Sequence, residues 1–339
     1  MKWLAVAAAL FAAIFGFASA RADSGTNLSF PIENPPVVRI QMRSGDLTIR
    51  TWDRSEIQIT STDPVEARHF SAQDVARELH GGDVPIFATS VQTPNGAVTL
   101  PLEEFQVASL ASEPHDGIVV FGGDTHATIT ITVPASTAFV GAVVGHGRLH
   151  LIDYRSGAFV ARVHNGFMEL HNVAGDGYIE VARGPIVVRD SAFNRIRART
   201  ALGNILFQNC NARQIEVSSV NGSIAYDNGT FVPGLARFET QTGNIALGIA
   251  GGGVQIGAHS SNGRIYSDFQ RGADVRGNTT DTQAIVSGGG PVVTVSSQSG
   301  GVYLYDGAFK SHARKQQQWR PLNRLVNPPH THPGHRRVP

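Results

Sequence analysis

Gly203-Asn204-Ile205-Leu206-Phe207 returns nineteen residues on as Gly222-Ser223-Ile224-Ala225-Tyr226, and after twenty-one more as Gly243-Asn244-Ile245-Ala246-Leu247. In each copy a glycine is followed, two and four positions later, by two large apolar residues. Working outward, the same frame holds Gly147 with Leu149 and Leu151, Gly166 with Met168 and Leu170, and Gly184 with Ile186 and Val188. It continues to Gly263 with Ile265, and Gly301 falls 38 residues further, two more steps of nineteen. A fixed period of this length marks a repeat architecture. Alternation with period two places each apolar pair on one face of a short strand. The glycine and its frequent asparagine neighbour (Asn165, Asn204, Asn221, Asn244, Asn262) suit a turn with positive φ.

A second strand follows in each repeat: Phe159-Ala161-Val163, Ile179-Val181, Ile196-Ala198, Ile215-Val217, Ala236-Phe238 and Val254-Ile256. Between these inward residues stands one outward residue per repeat, in order Arg162, Glu180, Arg197, Glu216, Arg237 and Gln255. The sign alternates through the first five. Parallel, in-register stacking predicts this pattern, because residues at the same repeat position become lateral neighbours and like charges repel. A slip of one residue would turn the charges inward. One repeat cannot bury its own apolar face, so neighbours must cover it. The expected fold is all-β: a parallel β-solenoid (β-helix-like) with coils of about 19 residues and two main strands per coil.

The region before the repeats is β-rich and degenerate. Arg43-Ser44-Gly45-Asp46-Leu47-Thr48-Ile49 carries the same glycine frame, followed by Glu56-Ile57-Gln58-Ile59. An insertion at about 62–124 predicts a short helix over Ser71–Leu79 with Ser71 as cap, and strands near Ile86–Gln92, Ala97–Leu100 and Gly117–Phe121. Ala127 to Val133 alternates as a strand and ends at Pro134. The expected organisation is a signal peptide over 1–22, an N-terminal β-rich region over 23–140, repeats over 141–308 and a basic, disordered tail over 309–339.

Composition agrees with this reading. Charged residues are 16%, against roughly 25% in an average domain, and 37 of 339 residues are glycine. Lys2, the apolar run Trp3–Phe17 and the small-x-small sites at Ala18-Ser19-Ala20 or Ala20-Arg21-Ala22 read as a secretory signal, with a mature chain from near Asp23. An uncleaved anchor is the alternative. The absence of cysteine at the cleavage site excludes a lipoprotein anchor, and no later segment has the length and apolarity of a transmembrane helix. The expected location is therefore periplasmic or extracellular. Cys210 is the single cysteine, so no internal disulfide forms, and an inert thiol is the simpler reading.

The net charge of +1 conceals an asymmetry. Between residues 23 and 308 stand 19 basic and 27 acidic residues. The tail carries Lys310, Arg314, Lys315, Arg320, Arg324, Arg336 and Arg337 and no acidic residue. Such a tail either meets an anionic surface or polymer, or lies solvated on its own acidic body.

The strand ending in Val133-Pro134 and the Asn-Gly-x-Ile and Gly-Asn-Ile units (Asn221 to Ile224, Gly243 to Ile245) resemble the putative-adhesin family, a domain family of unknown function. Gly45-Asp46-Leu47-Thr48-Ile49-Arg50-Thr51-Trp52-Asp53 resembles its opening coil. The resemblance covers roughly 36–60 and 125–306. It implies a β-solenoid and an envelope location, and brings no active site to carry over. The 62–124 insertion departs from the family's compact opening.

Chemistry is sparse. Solenoid lyases and hydrolases use clustered or paired carboxylates. Asp153, Asp190 and Asp227 each follow a first strand and could gather at one corner, or simply form turns. His146, His150, His164 and His171 cluster with Arg148 and Arg162 as a metal or anion site, or as ordinary surface histidines. His330, His332 and His335 in the tail lack imposed geometry. No Gly-x-Ser-x-Gly elbow or phosphate loop is present, and basic residues do not interleave with aromatics as a nucleic-acid face requires. Neither a metal nor another cofactor is expected. Three positions after each glycine the outward residues are first polar, His150 and Glu169. They then run Val187, Leu206, Ala225, Ala246 and Tyr266, an apolar stripe to be covered by the insertion, a second subunit or a ligand.

The expected function is a non-enzymatic exported protein of the cell envelope, acting in adhesion, scaffolding or binding of a surface polymer or protein. A carbohydrate-active enzyme and a regulatory accessory of the envelope are the alternatives.

Overall fold

The computed structural model describes residues 19–21, 25–79, 90–93, 96–99, 113–122, 127–267, 269, 273–277, 280–286 and 289–307. The expected signal peptide, apart from residues 19–21, and the basic tail lie outside these. The fold is all-β with extensive parallel pairing, and falls into two units that divide between Glu180 and Val181. Among the described residues no helix is long and apolar enough to cross a membrane.

The first unit contains β1 (Ser19–Arg21), β2 (Thr26–Pro31), β3 (Val37–Trp52), β4 (Glu56–Ser61), β5 (Glu66–Phe70), helix α1 (Ala72–Leu79), β6 (Ser90–Thr93) and β7 (Gly96–Thr99). It continues with β8 (Gly117–Gly122), β9 (Ala127–Pro134), β10 (Phe139–Ile152) and β11 (Ala158–His171), and β12 (Ala174–Arg183) runs across the division. β10 pairs in parallel with β11 on one side and β3 on the other. Gly147 lies between Gly166 and Gly45, Leu149 between Met168 and Leu47, and Leu151 between Leu170 and Ile49. All six apolar residues are buried. The Gly45 segment is thus a full rung, not a degenerate one. It also lies out of chain order, because the far edge of β3 takes β8 and β9, again in parallel.

The rungs approach so closely at the frame glycine that no side chain fits. A Cβ on Gly166, where φ is 149°, would stand 1.7 Å from the Gly147 carbonyl oxygen. Direction reverses beyond β8 and β9: β4 pairs antiparallel with β9, β5 with β8, β2 with β4, and β1 with β5. These strands occupy parallel edges that would otherwise present unpaired amides and carbonyls. The helix starts where expected, with reciprocal capping: Asp74 N–H lies 3.4 Å from Ser71 Oγ, and Ser71 N–H lies 3.2 Å from Asp74 Oδ2. The expected strand near Ile86–Gln92 is placed at Ser90–Thr93, pairing antiparallel with β7; residues 86–89 are outside the described set.

The second unit continues with β13 (Ile186–Arg189), β14 (Ala192–Leu202), β15 (Ile205–Gln208), β16 (Asn211–Asn221), β17 (Ile224–Phe231), β18 (Leu235–Thr242) and β19 (Ile245–Ile249). It ends with β20 (Val254–Ser260), β21 (Ile265–Ser267), β22 (Ala273–Gly277), β23 (Asp281–Val286), β24 (Val292–Ser299) and β25 (Val302–Asp306). Two parallel ladders run through it. Ile186, Ile205, Ile224 and Ile245 form one inward column, and Val188, Phe207, Tyr226 and Leu247 the next. Ile196, Ile215 and Ala236 form a column of the second ladder. All are buried.

The last three rungs are not in chain order. β24 pairs with β18 on one side and β20 on the other, while β25 lies between β19 and β21. The rung at 292–306 therefore sits between those at 235–249 and 254–267, which corrects the expectation of two further steps of nineteen. Its frame glycine is Gly300, not Gly301: a Cβ on Gly300 would meet the Gly243 carbonyl oxygen at 1.9 Å, and one on Gly263 would meet that of Gly300 at 2.1 Å. Antiparallel β23, itself paired to β22, takes the far edge of β20.

A polar column, unread in the sequence, supports the same order. Thr200, Ser219, Thr240, Ser297 and Ser260 are register neighbours, each three residues before a frame glycine. Their hydroxyls donate to the carbonyls of Gly184 (3.3 Å), Gly203 (3.2 Å), Gly222 (2.8 Å), Gly243 (3.0 Å) and Gly300 (2.9 Å) respectively. Buried hydroxyls need such partners.

The alternating charges pair laterally within each unit. Arg162 Nε and Nη2 donate to Glu180 Oε2 at 3.1 and 2.5 Å in the first. In the second, Arg197 grips both carboxylate oxygens of Glu216, Nε to Oε2 and Nη2 to Oε1, each at 3.1 Å. Arg237, though in register with Glu216, binds Glu239 on its own strand at 2.7 Å. Gln255 is not the next member of the column: Arg237 neighbours Thr294, and Thr294 neighbours Gly257, which stands six residues before Gly263 as Arg197, Glu216 and Arg237 stand six before their own frame glycines. Arg197→Glu should lower stability by about 0.5–1 kcal/mol, and Glu216→Arg on that background should recover part of it. Urea unfolding of the four-member cycle reads the coupling, and zero coupling would reject the lateral pair.

Candidate functional site

The outward face of the last first-strand rungs in the second unit is built from tyrosines. Register places Tyr303 between Ala246 and Tyr266. Two residues beyond Tyr303, alternation sends Tyr305 to the same face, beside Gly248. The rings of Tyr266 and Tyr303 stack with centroids 4.9 Å apart and planes 11° from parallel. Gly301 makes room for this arrangement, since a Cβ there would lie 2.6 Å from the Tyr303 ring. Partial burial, and then the neighbouring Tyr266, raise the Tyr303 phenol above its ordinary value, so it stays a neutral donor at physiological pH. Tyr266 is 47% exposed, and among the described residues no strand pairs with the far edge of β21. Phenol rings with one polar tip suit sugar rings and aromatic or apolar groups.

The other stripe positions are placed differently. Val187, Leu206, Ala225 and Ala246 are register neighbours in a single column, as the frame predicts. All four are buried within the single chain, at 4% exposure or less. Their apolar side chains are covered intramolecularly, and only the Tyr266 end of the stripe reaches solvent. The seven basic tail residues, Lys310 to Arg337, lie outside the described residues.

Each of the three aspartates holds a turn or ladder position within its own unit. Asp153 (φ 52°), Asn172 (φ 55°), Asp190 (φ 51°), Asn209 (φ 54°) and Asn228 (φ 54°) share one left-handed turn position, where Asx side chains are favoured. Asn172 donates to Asp153 Oδ1 at 2.5 Å, Asn209 to Asp190 Oδ1 at 2.9 Å, and Asn228 to Asn209 Oδ1 at 2.7 Å. These carboxylates are spent on turn-to-turn hydrogen bonds. Asp227 falls one position earlier, in register with Gln208, and is buried with Gln208 Nε2 at 3.3 Å.

The histidines are likewise spread along register positions. His150 pairs with its neighbour Glu169 at 3.4 Å and lies 6.0 Å from the Phe167 ring, while His146 contacts Asn165 at 3.4 Å and meets His164 edge-on. Among the described residues, no three His, Cys, Asp or Glu side chains are grouped to hold a metal ion. Cys210 is buried with its Sγ 3.2 Å from the Gln208 carbonyl, and burial pushes its thiol up to about 12, which keeps it protonated and unreactive.

One constellation was missed in the sequence. His259 Nδ1 lies 2.6 Å from Asp281 Oδ1, and its Nε2 lies 3.2 Å from Ser261 Oγ. The connectivity is that of a serine nucleophile, base and orienting carboxylate. The surroundings differ. His259 and Asp281 side chains are 49% and 64% exposed, and the amides of Ser261 and Asn262 donate to the Ser297 and Gln298 carbonyls, so neither can hold an oxyanion. The trio instead links β20 to its antiparallel neighbour β23, where His259 and Asp281 face each other. The glycine frame could not have found it, because Asp281 reaches His259 on an antiparallel strand that lies outside the parallel repeat.

No family model matches the chain, and no curated protein matches it. Among solved structures, a putative cell adhesion protein from Clostridium sporogenes is similar over 83% of this chain and 99% of its own, at 9% identity and a TM-score of 0.23.

Proposed function

We propose that this chain is a non-enzymatic β-solenoid of the putative-adhesin type, exported to the cell envelope, where it scaffolds or adheres by binding a surface polymer or protein. Parallel pairing of successive repeats at steps near nineteen supports the solenoid. The observation that carries the binding role is the Tyr266–Tyr303 stack, a pair of aromatic rings left at an exposed strand rather than buried with the other stripe residues. The carboxylates considered for catalysis are committed to ladders and turns, which favours binding over hydrolysis.

Retention of the exported chain on its own isolated envelope material tests this. Tyr266→Ala should weaken retention about tenfold, the equivalent of about 1.4 kcal/mol. Unchanged retention in that variant, with loss on deleting 309–339, would move the binding role from the tyrosine face to the tail. Retention unchanged in both would reject the reading.

A further inference from the structure

Two glycine-rich connections set the out-of-order rung of the second unit: one joins the rungs on either side of it, and the other leads into it. Ala250-Gly251-Gly252-Gly253 carries the chain from β19 to β20 past an intervening rung, with Gly251 (φ 69°) and Gly252 (φ 80°) in the left-handed region. Ser287-Gly288-Gly289-Gly290-Pro291 then leads back to β24. The rung so delivered, 292–306, is inserted between two rungs joined to each other by only four residues.

We infer that this rung is exchangeable, and that its slot is an interaction surface for the same rung of a second copy of this chain. Strand edges form both walls of the slot: β18 and β19 on one side, β20 and β21 on the other. What holds the rung there is the repeat's common pattern. Val293, Val295, Val302 and Leu304 fill inward columns. Ser297 Oγ donates to the Gly243 carbonyl at 3.0 Å, Ser260 Oγ to the Gly300 carbonyl at 2.9 Å, and the Gly301 amide to Asn244 Oδ1 at 2.8 Å. A second copy's rung makes every one of these contacts identically. Only the glycine-rich connection distinguishes the closed arrangement from reciprocal exchange, the usual condition for swapping. The connection favours self-insertion through its effective concentration while it can fold back, and a shorter one removes that advantage.

Arg237 and Thr294 are exposed register partners on β18 and β24, and report on whose rung fills the slot. Full-length chains carrying Arg237→Cys or Thr294→Cys alone, distinguished by tag size, are mixed, refolded together under reduction and then oxidised. A second set lacks Gly288 and Gly289. The shortened chains should run at twice the monomer mass by light scattering and form a disulfide between differently tagged copies. At the native connection length the same disulfide should appear and increase with protein concentration. Shortened chains that stay folded and monomeric would overturn the proposal, as would dimers without the inter-copy disulfide. If the shortened chains fail to fold, the native-length mixture decides: no inter-copy disulfide at any concentration overturns exchange.

Discussion

Gly166→Ala is expected to lower stability by about 3–4 kcal/mol, a large share of the roughly 5–15 kcal/mol that holds a domain folded. The added methyl would overlap the Gly147 carbonyl oxygen at 1.7 Å and its carbon at 2.8 Å. Both are backbone, so no side chain can swing aside. Gly147 cannot retreat either, because a Cβ on it would in turn stand 1.8 Å from the Gly45 carbonyl oxygen. Strain from positive φ adds about 1–2 kcal/mol to an overpacking cost of typically 1–3 kcal/mol. Gly251→Ala is the control. Its φ is 69°, and nothing lies within 4 Å of the new methyl, so only the conformational cost of about 1 kcal/mol remains. Chemical denaturation compares the two, and equal losses would reject close rung approach as the reason for the glycine.

Tyr226→Ala should cost about 3–5 kcal/mol. The ring is fully buried in the second unit, stacked on Phe231 at 4.8 Å and edge-on to Phe238 at 5.5 Å, with Phe207 at 6.2 Å. Gly229 exists to admit it, since a Cβ there would lie 2.1 Å from the ring. Tyr226→Phe separates packing from hydrogen bonding. The hydroxyl lies 2.8 Å from the Cys210 carbonyl and 3.0 Å from that of Thr230, so its loss should cost only about 1 kcal/mol. Thermal unfolding of both variants checks the order, and a Phe variant as damaged as the Ala variant would show that the hydroxyl, not the ring, anchors this corner.

The glycine frame was legible because it obeys a local rule repeated many times, and each inward pair it assigned in the second unit from Ile186 to Leu247 is buried. The Arg197–Glu216 pair was legible for the same reason. Order among rungs was not. Ile245, Val302 and Ile265 are interchangeable as inward residues, so the pattern cannot say which neighbours which. The glycine runs at 251–253 and 288–290 were the available signal for a skipped and a returning rung, and they read as ordinary turns when taken singly. A Ser or Thr three residues before a frame glycine was equally visible at Thr200, Ser219, Thr240, Ser260 and Ser297, and was lost among generic polar residues. The stripe from Val187 to Tyr266 was placed in the correct column. What covers it was left open between the insertion, a second subunit and a ligand, and Val187, Leu206, Ala225 and Ala246 are buried within the single chain.

Placing 292–306 inside the stack, rather than after it, makes this late segment the keystone of the second unit. A chain cut short before Val292 lacks the strands that β18, β19, β20 and β21 pair with, and it leaves the hydroxyl of Ser260 without the Gly300 carbonyl. Truncation in a simple sequential stack would remove only the last layer. Here it opens a gap in the interior, so a partly made or clipped chain carries exposed strand edges that proteases and chaperones recognise. The fold thereby reports on its own completeness.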